Sequence, residues 1–358
     1  MWPLIAPALI VCAVVLVEAM AGSDVLTRMV VKMLINLTLV VALYIFVGNS
    51  GVLSFGHISF MAIGAYAGAI LTIPLVRREF LLPNLPSWLA TFEVSLPVAM
   101  LLAGLLAAVI AALVAFPLMR LNGIAAGIAT FSFLIIVRVV ISNWEDVTRG
   151  TGSMSGVPTD TTPGRALITA LLAMAAAYAF QRSSCGRRLR ASREDEPAAS
   201  SVGINIVRER AIAFTLSAFF CAVAGVLFGH FVGVFSPDDF FLTTTFVVIA
   251  MLVVGGIGSL AGAVTGTLAV SFVAESLLRL EAGANLGFAQ IDAPAGLQET
   301  GLGLFLLLVL LFRAGGITGG REFSRPYPVI HEPPTRDRES GERDPFAAAG
   351  ALPESPPR

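Results

Sequence analysis

The 358-residue chain is 56% hydrophobic and only 13% charged, and its formal net charge is −1. Soluble domains carry about a quarter charged residues, so this composition excludes an ordinary soluble domain and indicates a polytopic protein of the lipid bilayer. We expect no nucleic-acid partner. The three cysteines, Cys12, Cys185 and Cys221, form no paired motif, which indicates neither a disulfide framework nor a metal site.

Apolar runs predict an all-α fold, a polytopic bundle of about 8–10 transmembrane helices, some of them broken at glycines. The first run has no positively charged region before it, so we expect a retained span rather than a cleaved signal. The eighth and ninth runs are short and could form one broken helix or a re-entrant pair. The ten runs are 3–20, 29–47, 57–75, 94–119, 124–142, 166–180, 211–234, 244–255, 262–278 and 301–312.

Charge and composition divide the chain into a transmembrane domain, residues 1–313, and a tail, residues 314–358. The membrane domain is interrupted by a charged central loop, residues 182–210. The tail is rich in Gly, Pro, Arg, Asp and Glu and has few large apolar residues. This composition predicts a disordered cytoplasmic tail.

The central loop also sets the predicted orientation, because it carries seven arginines and short arginine-rich loops stay in the cytoplasm. With ten crossings, both termini are then cytoplasmic. Arg77 and Arg78 lie outside in this arrangement, against the general bias. The polar stretch 143–163 also lies outside, either as an ordered loop at an entrance or as a plain connector.

Two glycine-rich breaks, residues 48–68 and 254–269, each place clustered glycines and a serine before a short apolar helix. Paired, glycine-interrupted segments in the two halves of a transporter often mark a transport pathway. The alternative is close helix packing, which we favour for single glycines such as Gly64 and Gly266. The pathway candidates are Gly51, Ser54, Gly56, His57, Gly255, Gly256, Gly258 and Ser259.

Motifs of catalysis are missing from the sequence, which contains neither an HExxH zinc pair nor a GxxxxGK[ST] phosphate loop. We therefore expect no enzyme, no catalytic residue, no metal and no cofactor. No predicted span carries a carboxylate near its middle, which counts against a self-powered carrier. If ATP drives transport here, another subunit must bind it.

Within the central loop, the stretch EDEPAASSVGI predicts a helix of about two turns over residues 197–203. Pro197 suits a first helical turn, the preceding acidic residues favour the positive end of the helix dipole, and Gly203 can form a left-handed cap. Such a helix could dock on a partner, or it could be a solvated surface turn. The candidate coupling residues are Glu194, Asp195, Glu196, Pro197, Ala198, Ala199 and Gly203.

The stretch GRRLRASREDEPAASSVGIN resembles the cytoplasmic loop with which ABC-transporter permeases for branched-chain amino acids contact their ATPase. Three further segments agree in order: GNSGVLSFGHISFMAIGAYAGAIL, TRGTGSMSGVP, and AFTLSAFFCAVAGVLFGHFVGVFSPDDF with VVGGIGSLAGAVTGTL. The resemblance covers about residues 35–312, and the long loop is more similar to the M-type subunit. Pro197 departs from the pattern, because it stands where the general motif has a glutamate that Glu196 would replace one residue earlier.

This resemblance implies a permease subunit of an importer in the bacterial inner membrane. The implied partners are a second permease subunit in a heterodimer, cytoplasmic ATP-binding subunits that dock at residues 197–203, and a periplasmic substrate-binding protein. The implied substrates are branched-chain amino acids or related small polar solutes. The alternatives are a permease for urea or short amides within the same family, and a stand-alone secondary carrier or channel.

Overall fold

The computed structural model describes residues 2–86, 91–281, 284–285, 290–291, 296–313, 315–320 and 322. The chain divides into two units, Met1–Ser324 and Arg325–Arg358, and the second lies outside the described residues. The helices are α1 Trp2–Ala21, α2 Asp24–Ser50, α3 His57–Thr72, α4 Leu75–Leu81, α5 Leu96–Leu118, α6 Gly123–Asn143, α7 Glu145–Thr148, α8 Pro163–Arg182, α9 Ser184–Glu194, α10 Glu196–Ser201, α11 Ile206–Val232, α12 Leu242–Gly255, α13 Leu260–Glu281 and α14 Leu297–Phe312. A 3₁₀ turn, Pro237–Phe240, precedes α12, and two short strands, β1 Ala284–Asn285 and β2 Gln290–Ile291, pair antiparallel.

The predicted all-α membrane bundle is confirmed. Eight helices of the described chain are long and apolar enough to cross a membrane, and α3 with α4, bent by 120°, supplies a ninth if the pair is one span. The helix α14 is apolar but shorter. The eighth and ninth runs are two separate helices, α12 and α13, so the single broken helix is wrong. They run antiparallel, because Gly255 lies against Gly262 and Met251 lies against Gly266.

The helix α2 lies in the core, and its apolar window is 89% buried. An α-helix that is hydrophobic on all sides is expected to lie inside a bundle, where neighbouring helices shield it from lipid. It ends at Gly51, whose φ of 72° forms a left-handed cap with its N–H on the Val47 carbonyl. This capped end starts the first glycine-rich break.

Small residues let the other helices approach the core closely. A Cβ atom added to Gly64 of α3 would lie 2.1 Å from the Ala222 carbonyl oxygen of α11, and one added to Gly225 of α11 would lie 2.0 Å from the Met61 carbonyl oxygen. Packing, which we preferred for Gly64, is therefore confirmed. Alanines at intervals of four residues form the buried stripe of α5: Ala99, Ala103, Ala107, Ala111 and Ala115.

The loops of the bundle lie on two faces. The arginine-rich face holds the segments 119–122, 183–205 and 256–259. The opposite face holds the segments 73–86, 91–95, 144–162 and 233–241. Contacts join them: the Asn84 amide donates to Asp146 at 2.9 Å, and Met154 pairs antiparallel with Phe235. The long helices of the described chain run between these two faces, and which face is cytoplasmic stays a prediction.

The central loop is more ordered than predicted. It contains two helices, α9 and α10, and α11 already begins at Ile206, five residues before the predicted start of the span. The Ser183 side chain caps α9 by accepting from the Gly186 N–H, and Leu189 is buried on its inner side. Arginine is a good helix former, so a run of arginines is compatible with a helix as well as with a loop.

Candidate functional site

The helix α10 occupies the centre of the predicted coupling stretch. The Asp195 side chain accepts from the Ala198 N–H at 2.9 Å, and Pro197 lies in the first turn. Beyond the last helical residue, Gly203 has a φ of 84°, and the Ile204 N–H donates to the Ala199 carbonyl at 3.1 Å. The helix is thus six residues long and begins at Glu196, one residue before the predicted start.

The outer surface of α10 is exposed and consists of small side chains. Pro197, Ala198 and the two following serines are exposed, whereas Ala199 is buried against the bundle. Val202, just after the helix, is 75% exposed. A single exposed apolar side chain is common on protein surfaces, so contact of this surface with a partner protein stays a prediction.

The carboxylate of Glu196 faces the bundle. Its Oε1 atom accepts from the Asn122 amide at 2.9 Å, and its Oε2 atom accepts from the Arg210 guanidinium at 3.2 Å. Arg210 also donates to the Asn122 side-chain oxygen. Three elements therefore meet at this point: the turn before α6, the first residue of α10 and the first turns of α11.

The arginines of α9 hold the end of α2. The Arg193 guanidinium donates to the Gly48 carbonyl at 2.8 Å, and Arg190 donates to the Asn49 side-chain oxygen at 2.8 Å. Arg190 also donates to the Tyr44 hydroxyl at 3.3 Å. The first glycine break is therefore attached to the same segment that presents α10.

The two glycine breaks meet on the arginine-rich face. A Cβ atom added to Gly48 would lie 2.8 Å from the Ile257 carbonyl oxygen. Beside this contact is a cavity of about 510 Å³ that is lined by Arg193, Glu194 and Gly258, among others. Glu194, a predicted coupling residue, is exposed at the end of α9 and borders this cavity rather than α10.

The second glycine break is a close-packed turn. A Cβ atom at Gly255 would lie 1.8 Å from the Gly262 carbonyl oxygen, and Gly256 has a φ of 114°. The Ser259 hydroxyl accepts from the Gly262 N–H at 2.9 Å, near the start of α13. Packing and capping therefore account for these residues, and their role in a pathway stays a prediction.

In the first glycine break, the glycines make close packing contacts and two polar residues form a buried pair. Gly51 lies against the Arg193 side chain, and a Cβ atom at Gly56 would meet a carbonyl oxygen of α6 at 2.8 Å. Ser54 and His57 form a buried pair, with the hydroxyl oxygen 2.8 Å from Nδ1. The imidazole lies among three phenylalanine rings, beside a cavity of about 10 Å³, the size of one water molecule.

On the opposite face, the stretch 143–163 is an ordered loop. The Met154 N–H donates to the Phe235 carbonyl at 2.8 Å, and the reverse bond measures 3.0 Å. Arg149 has a φ of 63°, and its guanidinium donates to the Ser153 carbonyl at 2.8 Å. Of the two alternatives for this stretch, the structure favours the ordered loop.

Sequence reasoning missed the segment after α14. The predicted tail begins at residue 314, but Ile317 and Thr318 donate their N–H groups to the carbonyls of Val254 and Gly255. The Glu322 carboxylate accepts from the N–H groups of Leu260 at 2.9 Å and Ala261 at 3.2 Å, at the start of α13. No local sequence pattern reveals this cap, since the residues that Glu322 caps lie about 60 residues earlier in the chain. The rest of the predicted tail lies outside the described residues.

Two further features bear on the chemistry of this face. Burial, with a smaller contribution from Glu209, raises the pKa of the Cys185 thiol to about 12. Within the described part of the chain, no group of three or more His, Cys, Asp or Glu side chains is placed to hold a metal ion.

Comparison with known proteins points to one family. A family model described as "branched-chain amino acid transport system / permease component" matches residues 25–315. The permease protein LivM of a high-affinity branched-chain amino acid transport system, from Salmonella typhimurium, is 30% identical over 260 residues, which cover 63% of this chain and 57% of LivM. The M-type likeness predicted from the central loop is thereby confirmed.

Other relatives carry related names. The permease protein LivH from Escherichia coli is 44% identical over 111 residues, covering 31% of this chain and 35% of LivH. The permease protein BraD from Pseudomonas aeruginosa is 36% identical over 159 residues, covering 44% of this chain and 48% of BraD. No solved structure matches the chain significantly. Because the family model spans most of the 358 residues, the chain belongs to the family of branched-chain amino acid transport system permease components.

Proposed function

We propose that this chain is a permease subunit of a bacterial ABC importer that moves branched-chain amino acids across the inner membrane. The family match and the names of the relatives support this substrate class. The structural observation that carries the proposal is α10, a capped helix with a small exposed surface. A short helix of this kind suits docking on an ATP-binding subunit, which would hydrolyse the ATP, so the chain itself is not an enzyme.

The arginine-rich face is the cytoplasmic face in this proposal, because short loops rich in arginine remain in the cytoplasm. Both termini of the chain then lie in the cytoplasm. The opposite face, with its ordered loop 144–162, receives a periplasmic substrate-binding protein. The two glycine breaks, which meet on the arginine-rich face, line the inner end of the path.

A second permease subunit completes the path. The chain is similar to both LivM and LivH, which supports a heterodimer of two related subunits. Movement of α10 with the ATPase then biases the pair between states that are open inward and outward.

Docking at α10 is tested by adding a charge to its exposed surface. We expect Ala198→Arg and Val202→Asp to abolish co-purification of a co-expressed cognate ATP-binding subunit, while the variants still insert and fold. Val76→Asp is the matched control, because Val76 is 85% exposed in α4 on the opposite face. Undiminished recovery of the ATPase with both α10 variants would contradict the proposed docking site.

A further inference from the structure

We propose that Glu196, Arg210 and Asn122 form a clasp whose task is to transmit movement of α10 to α6 and α11, rather than to bind the ATPase. This inference rests on the proposed function. It directs the carboxylate of the half-buried Glu196 toward the bundle instead of toward a partner. All three are positioning residues, because each acts through the other two.

The geometry of Asn122 is the first reason. Asn122 occupies the N-cap position of α6, where an asparagine side chain normally accepts a hydrogen bond from the helix. Here it makes no such bond. Its amide nitrogen instead donates to Glu196 at 2.9 Å, and its oxygen accepts from Arg210. Both polar ends of the side chain are therefore used to connect α10 and α11.

The burial of Arg210 is the second reason. This residue is 4% exposed, and its Nε atom has no hydrogen-bond partner in the described part of the chain. A buried guanidinium needs a partner of opposite charge, and the ion pair with Glu196 at 3.2 Å supplies it. If α10 moved away from the bundle without α6 and α11, the buried guanidinium of Arg210 would lose its ion pair with Glu196.

The remaining attachment of α10 is slight, which is the third reason. Of its six residues, only Ala199 is buried, and Glu196 is half-buried. A displacement of α10 therefore either breaks the clasp or carries α6 and α11 with it. The helix α11 crosses the core against α3 through Gly225, so the second outcome moves the centre of the bundle.

The first experiment measures hydrogen exchange of the purified full-length chain and needs no partner. Glu196→Gln and Asn122→Ala should each raise exchange at the amides of residues 202–204 by about fivefold, since a partly exposed charge-assisted bond contributes that order of stabilisation. Glu275→Gln is the matched control, because it removes a carboxylate that pairs with Arg279 within α13. Unchanged exchange in the clasp variants would overturn the proposed attachment.

The second experiment uses the reconstituted complex with its ATP-binding subunit and substrate-binding protein. Glu196→Gln should leave ATPase recovery and ATP hydrolysis within about twofold of the unaltered complex and lower the amino acid taken up per ATP about fivefold. Arg210→Lys keeps the charge but loses the forked geometry, so we expect the same uncoupling.

Three results would overturn the clasp. Loss of ATPase recovery with Glu196→Gln makes Glu196 a docking residue, and unchanged uptake per ATP removes its role in transmission. A parallel fall in ATP hydrolysis and uptake leaves the uptake per ATP unaltered, so it also contradicts a role of the clasp in transmission. If the unaltered complex shows no ATP-driven uptake, the proposed function fails instead, and the exchange measurement still decides whether the clasp exists.

Discussion

The contact between α3 and α11 offers a sharp test of the fold, through the substitution Gly64→Ala. The added Cβ atom would lie 2.1 Å from the carbonyl oxygen of Ala222 and 2.5 Å from its Cα atom. Both are backbone atoms of a helix and cannot rotate aside. The two helices must therefore separate by about 1 Å to reach a normal contact distance, at the centre of the core.

The cost follows from this separation. Overpacking of a close contact costs about 1–3 kcal/mol, and this site lies near the upper end because the opposing atoms are backbone. Alanine offsets up to about 1 kcal/mol through its better helix propensity. The net destabilisation is about 2 kcal/mol. Because the unfolding entropy is about 2 cal/mol/K per residue, this lowers the midpoint of thermal unfolding of a chain of this length by about 3 °C.

A thiol-reactive fluorophore provides the assay in a background with Cys12 and Cys185 replaced by serine, because Cys221 is fully buried in α11 beside Ala222 and reacts when the bundle opens. Gly303→Ala in α14 is the matched control, since no atom lies within 4 Å of a Cβ added there. We expect the control to unfold at the unaltered temperature or slightly above it. If Gly64→Ala unfolds within about 1 °C of the unaltered protein, the described contact of α3 with α11 is wrong.

Three other predictions concern the arginine-rich face. With the other two cysteines replaced, the alkylation rate of Cys185 should keep rising above about pH 9, because its pKa is raised to about 12 and only the thiolate reacts; a plateau near pH 9 would count against this burial. Single cysteines at Ser201 and Ser153, in a cysteine-free background, should react with impermeant reagents from opposite sides of the membrane, with Ser201 inside; labelling of both from one side would refute the assigned faces. Glu322→Ala removes the α13 cap, which contributes about 1 kcal/mol, and should lower the unfolding midpoint by about 1.5 °C, whereas Glu275→Gln should not. Equal midpoints would show that the cap contributes nothing.

The membrane helices were predictable because a span is a local property of composition. About 20 apolar residues in sequence indicate a helix whatever surrounds it. The ends were less predictable: α2 was expected over 29–47 and occupies Asp24–Ser50, since polar residues near the membrane surface can continue a helix. The helix α9 was not predicted, because its many arginines are also typical of a solvent-exposed loop.

The candidate site shows the same division between local and distant information. The caps of α10 at Asp195 and Gly203 depend on neighbouring residues, so the sequence indicated them. The partners of Glu196 lie 74 residues away at Asn122 and 14 residues away at Arg210. A single sequence contains no record of such pairings, and Glu196 therefore seemed to belong to the docking surface.

ATP-dependent uptake of leucine into proteoliposomes tests the central claim most directly. The chain is reconstituted alone and together with its second permease subunit, ATP-binding subunits and substrate-binding protein, with urea as the competing substrate. We predict leucine uptake only by the full complex with ATP, and no uptake by the chain alone. Equal leucine uptake by the chain alone would show a self-sufficient carrier or channel, and ATP-driven uptake of urea in place of leucine would contradict the proposed substrate class.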